Sequence, residues 1–503
     1  MKKLSEAGKN LYRSVADRPL FATLSFFAYR IGKRIRCRQC RPAWGKPVPA
    51  WAGTEKVAPE SLRQVKVAMI CDDMTWENWK RECCATALTP HNWKQVLSAE
   101  RPDVFFCESA WLGRKDQGGC WRGAIYRNHK VLFENRGELL RILDFCKQNG
   151  IPTVFWNKED PTFFDDLRYD FKDTALKFDW IFTTAAECVP RYREMGHPRV
   201  DVMMFSFSPY LFSPMGSVPK ERRAIFAGSW IGEDFCRCQA MERLFAMTED
   251  SGIPLTIFDR QTRNTRRCFP DKYRSYVRDC VPYVSLGQVI RRTEYALNIN
   301  TVTDSDTMFA RRVFELAASN VVILSNASRG MRKIFPPGGI CYLEETFSEE
   351  DREKQKRRNL DLVFAQHTNQ IRFTDLFCRM GILQESERVR ICVLDPDNLL
   401  EGRGIAGKWF AAVPVRIAAG LENGQFAYGI LLGKGRLRTL DSVLPHFCYL
   451  PGDCGIRIVG KPCYEITEDN GHEDVLYPWD LFAAVWHEDG KATKKYLLGD
   501  CEV

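Results

Sequence analysis

Short apolar runs recur along this chain, each closed by polar or glycine residues and separated from the next by a stretch long enough for a helix. No other feature constrains the fold as much. A strand that is apolar on both faces must be covered on both faces, and a helix between successive strands makes them parallel. The runs are Val65–Cys71, Pro102–Cys107, Pro152–Trp156 and Phe178–Thr183, then Arg223–Ala227, Leu255–Phe258, Tyr295–Asn300 and Val321–Leu324. Helical stretches are read at Trp76–Leu88, Arg136–Asn149 and Thr307–Ala318, the last with Phe309, Val313 and Leu316 on one face. The segment Ser348–Phe377 reads as one long closing helix. Pro214–Pro219 splits the series into two blocks, so the expectation is two Rossmann-like, doubly wound α/β domains.

A chain of 503 residues is too long for one ordinary core, in keeping with that division. We divide it into an N-terminal arm and linker (1–59), a first α/β domain (60–213), a second (214–385) and a β-rich accessory domain (386–503). The last is read from frequent glycines and short runs such as Val389–Val393, Tyr428–Leu432 and Gly455–Val459. The segment 200–219 is the expected hinge.

The excess of positive charge is confined to the arm. Eleven lysines and arginines against Glu6 and Asp17 precede residue 42, and they account for the whole net charge of +9. The run Leu20–Tyr29 ahead of Arg30, Lys33, Arg34 and Arg36 fits an interfacial helix on an anionic membrane surface. It equally fits a helix packed by its aromatic face on the body. Nothing downstream supplies a nucleic-acid-reading module. No apolar run approaches the ~18 residues of a membrane span, and no export signal is read, so the expectation is a cytoplasmic protein, peripheral at most. The 20 cysteines then read as reduced thiols. Cys37-x-x-Cys40 and Cys236-x-Cys238 lack the second half of a zinc site.

In open parallel sheets ligands collect at the carboxyl ends of the strands. That directs attention to Asp72-Asp73, Glu108–Trp111, Asn157–Asp160, Gly228–Trp230, Asp259–Gln261 and Ser325-Asn326. Trp76, Trp79, Trp93, Trp111 and Trp121 supply rings on which sugars stack, or simply core. Neither a Gly-x-Ser-x-Gly elbow nor a P-loop is present.

The run Phe309-Ala-Arg-Arg-Val-Phe-Glu-Leu-Ala-Ala318, followed by Val321–Asn326, resembles the donor-site signature of GT-B glycosyltransferases. The group it most resembles is the one related to spore-maturation (CgeB-like) proteins. Glu108–Gly113 with Gly119–Trp121, Phe155–Pro161, Phe226–Trp230 and Asp259–Gln261 resemble further family segments in the same order. The resemblance implies a GT-B fold, with the active site between two α/β domains. It implies that Glu315 holds the ribose of a nucleotide-sugar and that Arg311 or Arg312 meets the diphosphate. Arg260, Ser325 and Asn326 would stand at the same donor site, with the Gly228 backbone letting phosphates approach. Such enzymes generally work without a metal or other cofactor, the nucleotide-sugar being substrate.

An inverting transfer needs a base for the acceptor hydroxyl. Among Asp72, Asp73, Glu108, Glu159 and Asp160, the first choices are Glu108 and Asp160. The implied activity is transfer of a sugar to a saccharide, polymer, protein or glycolipid acceptor in surface-glycan assembly. The alternatives are an epimerase or polyol-phosphate polymerase on the same architecture, or a binding module without turnover. Two departures stand out. Thr307 occupies the position eight before Glu315, where retaining enzymes carry a second glutamate. Ser319-Asn320 replaces a glycine before the strand, a turn that asparagine tolerates.

Overall fold

A computed structural model describes residues 58–384, apart from 132, 215–218, 233, 262–267 and 346–351, and beyond them only the backbone of seven strands. The basic arm, and with it the helix read as either membrane-facing or packed on the body, lies outside the described residues.

The first unit runs β1 (Lys66–Ile70), α1 (Asp73–Trp79), β2 (Cys84–Ala87), α2 (Trp93–Glu100), β3 (Val104–Glu108) and α3 (Gly137–Gln148). It continues with β4 (Thr153–Asn157), α4 (Phe171–Ala175), β5 (Trp180–Thr183), α5 (Cys188–Glu194) and β6 (Val200–Val202). Its six strands are parallel in the order β2-β1-β3-β4-β5-β6. β3 and β4 are buried along their whole length, as strands covered on both faces must be. α3 shows how local sequence sets an element: Leu139, Ile142, Leu143 and Cys146 recur at helical spacing and are buried, and Gly150 at φ 64° ends the helix.

The second unit runs β7 (Glu221–Gly228), α6 (Phe235–Asp250), β8 (Leu255–Asp259), β9 (Val277–Arg278), α7 (Tyr283–Ile290), β10 (Thr293–Asn298) and α8 (Arg312–Ala318). Then come β11 (Val322–Ser325), α9 (Arg329–Ile334), β12 (Cys341–Tyr342), α10 (Arg352–Gln366) and α11 (Asn369–Arg379). Its sheet is again six parallel strands, in the order β12-β11-β10-β7-β8-β9. Separate apolar clusters cover the two faces of each sheet, which is the doubly wound plan. Asn320 does adopt the left-handed conformation between α8 and β11, at φ 57°.

The remaining strands are β13 (Val389–Leu394), β14 (Ile405–Ala406), β15 (Phe410–Val415), β16 (Tyr428–Leu431), β17 (Gly455–Ile458), β18 (Tyr464–Thr467) and β19 (Val475–Pro478). They pair in one mixed sheet, β14-β15-β13-β16-β19-β17-β18.

Two elements differ from expectation. The stretch 76–88 is helical only to Trp79; Cys84–Ala87 extends to pair with β1, Lys66 against Cys84 and Met69 against Ala87. The closing helix is two helices, broken at His367-Thr368, where Thr368 caps α11 by accepting from the Ile371 N–H at 3.3 Å. The break has a tertiary cause. α11 leaves the second unit, with which it was grouped, and packs Phe373, Leu376 and Phe377 against Val67, Phe106 and Trp156 of the first sheet. Outbound and returning connections meet on the way: the Phe207 N–H donates to the His367 carbonyl, and the Asn369 N–H to the Phe207 carbonyl.

Candidate functional site

In the second sheet the strand order reverses at β7, which lies between β8 and β10. Such a reversal opens a crevice at the carboxyl ends of the strands. Here that crevice is a cleft of about 610 Å³, open solvent included. Phe226–Gly228 of β7 and Leu297–Ile299 around the end of β10 form its floor, Ala310–Arg312 and Glu315 one wall, and Arg237 and Arg260 the other. Met74 of the first unit closes it from across the gap, with Arg260 Nη1 3.8 Å from its sulfur.

Glu315 is 1% exposed and sits one turn into α8. Its Oε1 accepts a 2.6 Å hydrogen bond from the Tyr283 hydroxyl and lies 3.2 Å from Arg311 Nε. Its Oε2 is 3.1 Å from Arg312 Nε, yet it accepts no hydrogen bond although it is buried. Buried polar atoms are rarely left so, and one on a cleft wall is an acceptor for a ligand donor. Asn298 Oδ1 is a second such acceptor in the same lining.

Four guanidinium groups therefore share the cleft with one carboxylate. Arg311 is half-buried, and its loss of water works against its charge, but Tyr283, Glu315 and Glu108 outweigh this and hold it above its usual range. Arg260 reaches solvent from within the cleft. Loss of water there, with repulsion from Arg312, Arg311 and Arg237, keeps it below the ordinary arginine range. Arg237 is depressed chiefly by burial, and one of its N–H groups donates to the Ser229 carbonyl at 3.0 Å. Such an array favours a ligand with more than one negative charge, and bidentate N–H pairs match phosphate oxygens.

Sequence reasoning placed Arg260, Arg311, Arg312, Glu315 and Gly228 here, and the structure brings all five to one cleft. The lack of a side chain at Gly228 has a packing reason as well: a Cβ there would lie 2.5 Å from the Phe226 ring. Ser325 and Asn326 do not line the cleft. They lie behind its floor, where the Ser325 hydroxyl accepts from Asn298 Nδ2 at 2.9 Å and Asn326 exchanges hydrogen bonds with the Asn300 backbone. They set the floor and leave contact to Asn298. Tyr283, Arg237, Asn298 and Met74 were not singled out. Asn298, at the end of its strand, followed the rule that flagged its neighbours; the others carry no local signal.

On the first unit's side the structure separates the two carboxylates chosen as base. Glu108 is 0% exposed, accepts from the Asp72 N–H and the Thr75 hydroxyl at 2.9 Å each, and is ion-paired with Lys158. Asp160 is 0% exposed and accepts from Asn157, Thr183 and Tyr192, and burial pushes its carboxyl up to about 7. Neither lines the cleft. Asp72 accepts from the N–H groups of Trp111, Leu112 and Gly113, so it shapes that loop. Asp73 receives the Lys115 N–H. Glu159 keeps 19% of its side chain exposed, takes the Trp111 indole N–H at 2.8 Å, and burial raises its carboxyl above the usual range.

Of the five tryptophans, Trp79, Trp93 and Trp121 are core residues. Trp111 and Trp76 remain partly exposed. Trp111 meets Tyr126, Phe163 and Tyr169 with ring centroids 5.0–5.9 Å apart, and the Arg114 guanidinium lies 4.3 Å over Trp76.

Residues 242–377 match a family model described as glycosyl transferase-like. A search of curated proteins found no match. Solved structures with some likeness include an alpha-glucosyltransferase in complex with UDP-glucose and DNA containing an abasic site (10% identity, 63% of this chain and 99% of that one, TM-score 0.37). A putative UDP-N-acetylglucosamine 2-epimerase from Listeria monocytogenes is similar at 10% identity, 63% and 96% coverage and TM-score 0.36. The glycotransferase of kitacinnamycin gives 12% identity, 63% and 99% coverage and TM-score 0.32. Values this low establish no common fold, which rests here on the strand order and the crevice it creates.

Proposed function

We propose that this chain is a GT-B glycosyltransferase that binds the nucleoside diphosphate of a nucleotide-sugar in the cleft of its second unit. The observation that carries the reading is the pairing, at the sheet's reversal point, of four arginines with a buried glutamate whose Oε2 has no hydrogen-bond donor. Ribose hydroxyls supply donors to Glu315; the diphosphate supplies charge to Arg237, Arg260, Arg311 and Arg312. As the glycosidic bond breaks, negative charge grows on the leaving diphosphate. Preorganised guanidinium groups in a partly closed cleft stabilise that charge and take the place of a metal. The match over residues 242–377 supports the second unit as donor domain.

The acceptor side follows from exposure. Like Glu108 and Asp160, Glu159 stands outside the cleft lining, but it keeps part of its side chain exposed where they have none, so it suits the transfer of the acceptor's proton better. The Trp111–Tyr126–Tyr169 rings beside it suit a sugar-bearing acceptor, a glycan or glycolipid. Surface-glycan assembly, CgeB-like membership and a peripheral membrane seat through residues 1–41 belong to the same proposal. One observation favours binding without turnover instead: both first-choice carboxylates are shut away from the cleft.

Thermal shift of the full chain with UDP, GDP, ADP and CMP in EDTA tests the site, with Glu315→Gln alongside. A ligand at about a hundred times its dissociation constant adds ~2.7 kcal/mol of stability. A shift with one nucleotide, lost in Glu315→Gln, is expected; no shift with any of them would overturn the assignment. Hydrolysis of the matching nucleotide-sugar then separates an enzyme from a binding module.

A further inference from the structure

The donor cleft is not completed by its own unit. Tyr283 is the first residue of α7, and its hydroxyl has two partners. It donates to Glu315 Oε1 at 2.6 Å and accepts from Asn78 Nδ2 at 2.5 Å. Asn78 belongs to α1 of the first unit. The Asn78 carbonyl accepts from Asn369 Nδ2 at 2.7 Å, and Asn369 Oδ1 accepts from the Ser206 hydroxyl at 2.7 Å. A continuous line of hydrogen bonds thus runs from both interdomain connections, through α1, to the carboxylate that faces the cleft.

The helix that carries Tyr283 is itself packed against the outbound connection. A Cβ at Gly287 would lie 1.8 Å from the Leu211 carbonyl oxygen, so α7 rests directly on the outbound connection. The Phe212 and Tyr283 rings pack at 5.6 Å, and the Arg311 guanidinium lies 5.5 Å over the Tyr283 ring. Glu315 itself stands between Arg311 and Arg312, which pull its two oxygens in different directions. The Tyr283 hydroxyl breaks that tie: it holds Oε1 and leaves Oε2 as the acceptor.

We propose that Tyr283 is the positioning residue for Glu315, and that through Asn78 it makes ligand binding in the second unit depend on α1 of the first. This rests on the reading of the cleft as a nucleoside-diphosphate site. Both hydrogen bonds run the right way: Asn78 donates to Tyr283, whose own proton is thereby committed to Glu315. A displaced α1 removes that donor and frees the hydroxyl to turn its proton away from Glu315.

Calorimetric titration of the full chain with the nucleotide that shifts the wild type tests this, using Tyr283→Phe, Asn78→Ala and the double variant. Tyr283→Phe keeps the ring under Arg311 and removes only the hydroxyl. Loss of a hydrogen bond to a charged group should raise Kd about tenfold or more. Asn78→Ala should raise Kd in the same direction although it touches no ligand, and the double variant should bind no more weakly than Tyr283→Phe alone. A merely structural role lowers the unliganded melting temperature and leaves Kd unchanged, which overturns the proposal. Additive effects overturn the relay through Asn78. If Asn78→Ala does not fold, Tyr283→Phe decides alone by the same criterion. A wild type that binds no nucleotide overturns the cleft reading itself, so the two failures are distinguishable.

Discussion

Asp160 shows what a single residue's surroundings decide. As the polar end of a strand it resembled a base for catalysis, but the fold encloses it among Asn157, Thr183 and Tyr192, and burial lifts its carboxyl to about 7. The sign for stability follows. Unfolded, the group ionises near its usual 3.8, so between that pH and about 7 the folded state holds the extra proton. Its contribution is present at the acid end and is lost as pH rises through this window, by about 1.4 kcal/mol per pH unit. Denaturant titrations at pH 5, 6 and 7 should show that decline in the wild type and a flatter dependence in Asp160→Asn. Equal slopes would mean the carboxyl is ionised throughout. Glu315, by contrast, was marked in the sequence because its helix, its arginines and the following strand together resemble a known family motif.

Elements were legible where one face or both were apolar over several residues, as in β1, β3, β4, β11 and α3. They were misjudged where pairing decided. Cys84–Ala87 has little strand character of its own and is extended because β1 offers it an edge. The Thr368 cap is a local signal for the break between α10 and α11, but nothing local announced that α11 would cross to the other unit. Phe373 measures what that crossing contributes. It is buried, and it packs edge-on to Trp79 at 4.6 Å and stacks on Phe377 at 5.4 Å. Phe373→Ala should cost about 3–5 kcal/mol. Hydrogen exchange should show the loss in β1, β3 and β4, far from residue 373 in sequence. Faster exchange confined to the second sheet would place α11 with its original block.

The whole molecule depends on how the two units dock. The loop before α8 reaches across: the Thr307 hydroxyl donates to the Thr184 carbonyl and accepts from the Ala186 N–H, both at 2.8 Å, and the Ser305 hydroxyl donates to Glu187 at 2.9 Å. Thr307, noted in sequence as a missing glutamate, is a docking residue here. Thr307→Val leaves two backbone groups unsatisfied and should cost about 1–3 kcal/mol. Exchange at residues 184–187 and 303–308 should rise together while both sheets keep their protection; separate behaviour would show that the contact does not couple the units. By itself, the sequence determined two doubly wound units, because apolar periodicity is a local property of the chain; Arg311, Arg312 and Glu315 of the cleft wall were marked by resemblance to a known family motif. Only the tertiary structure decided which carboxylates are closed off, where α11 packs and what holds Glu315. Burial and hydrogen-bond partners at those places come from residues up to 291 positions apart, and no local pattern records such a distance.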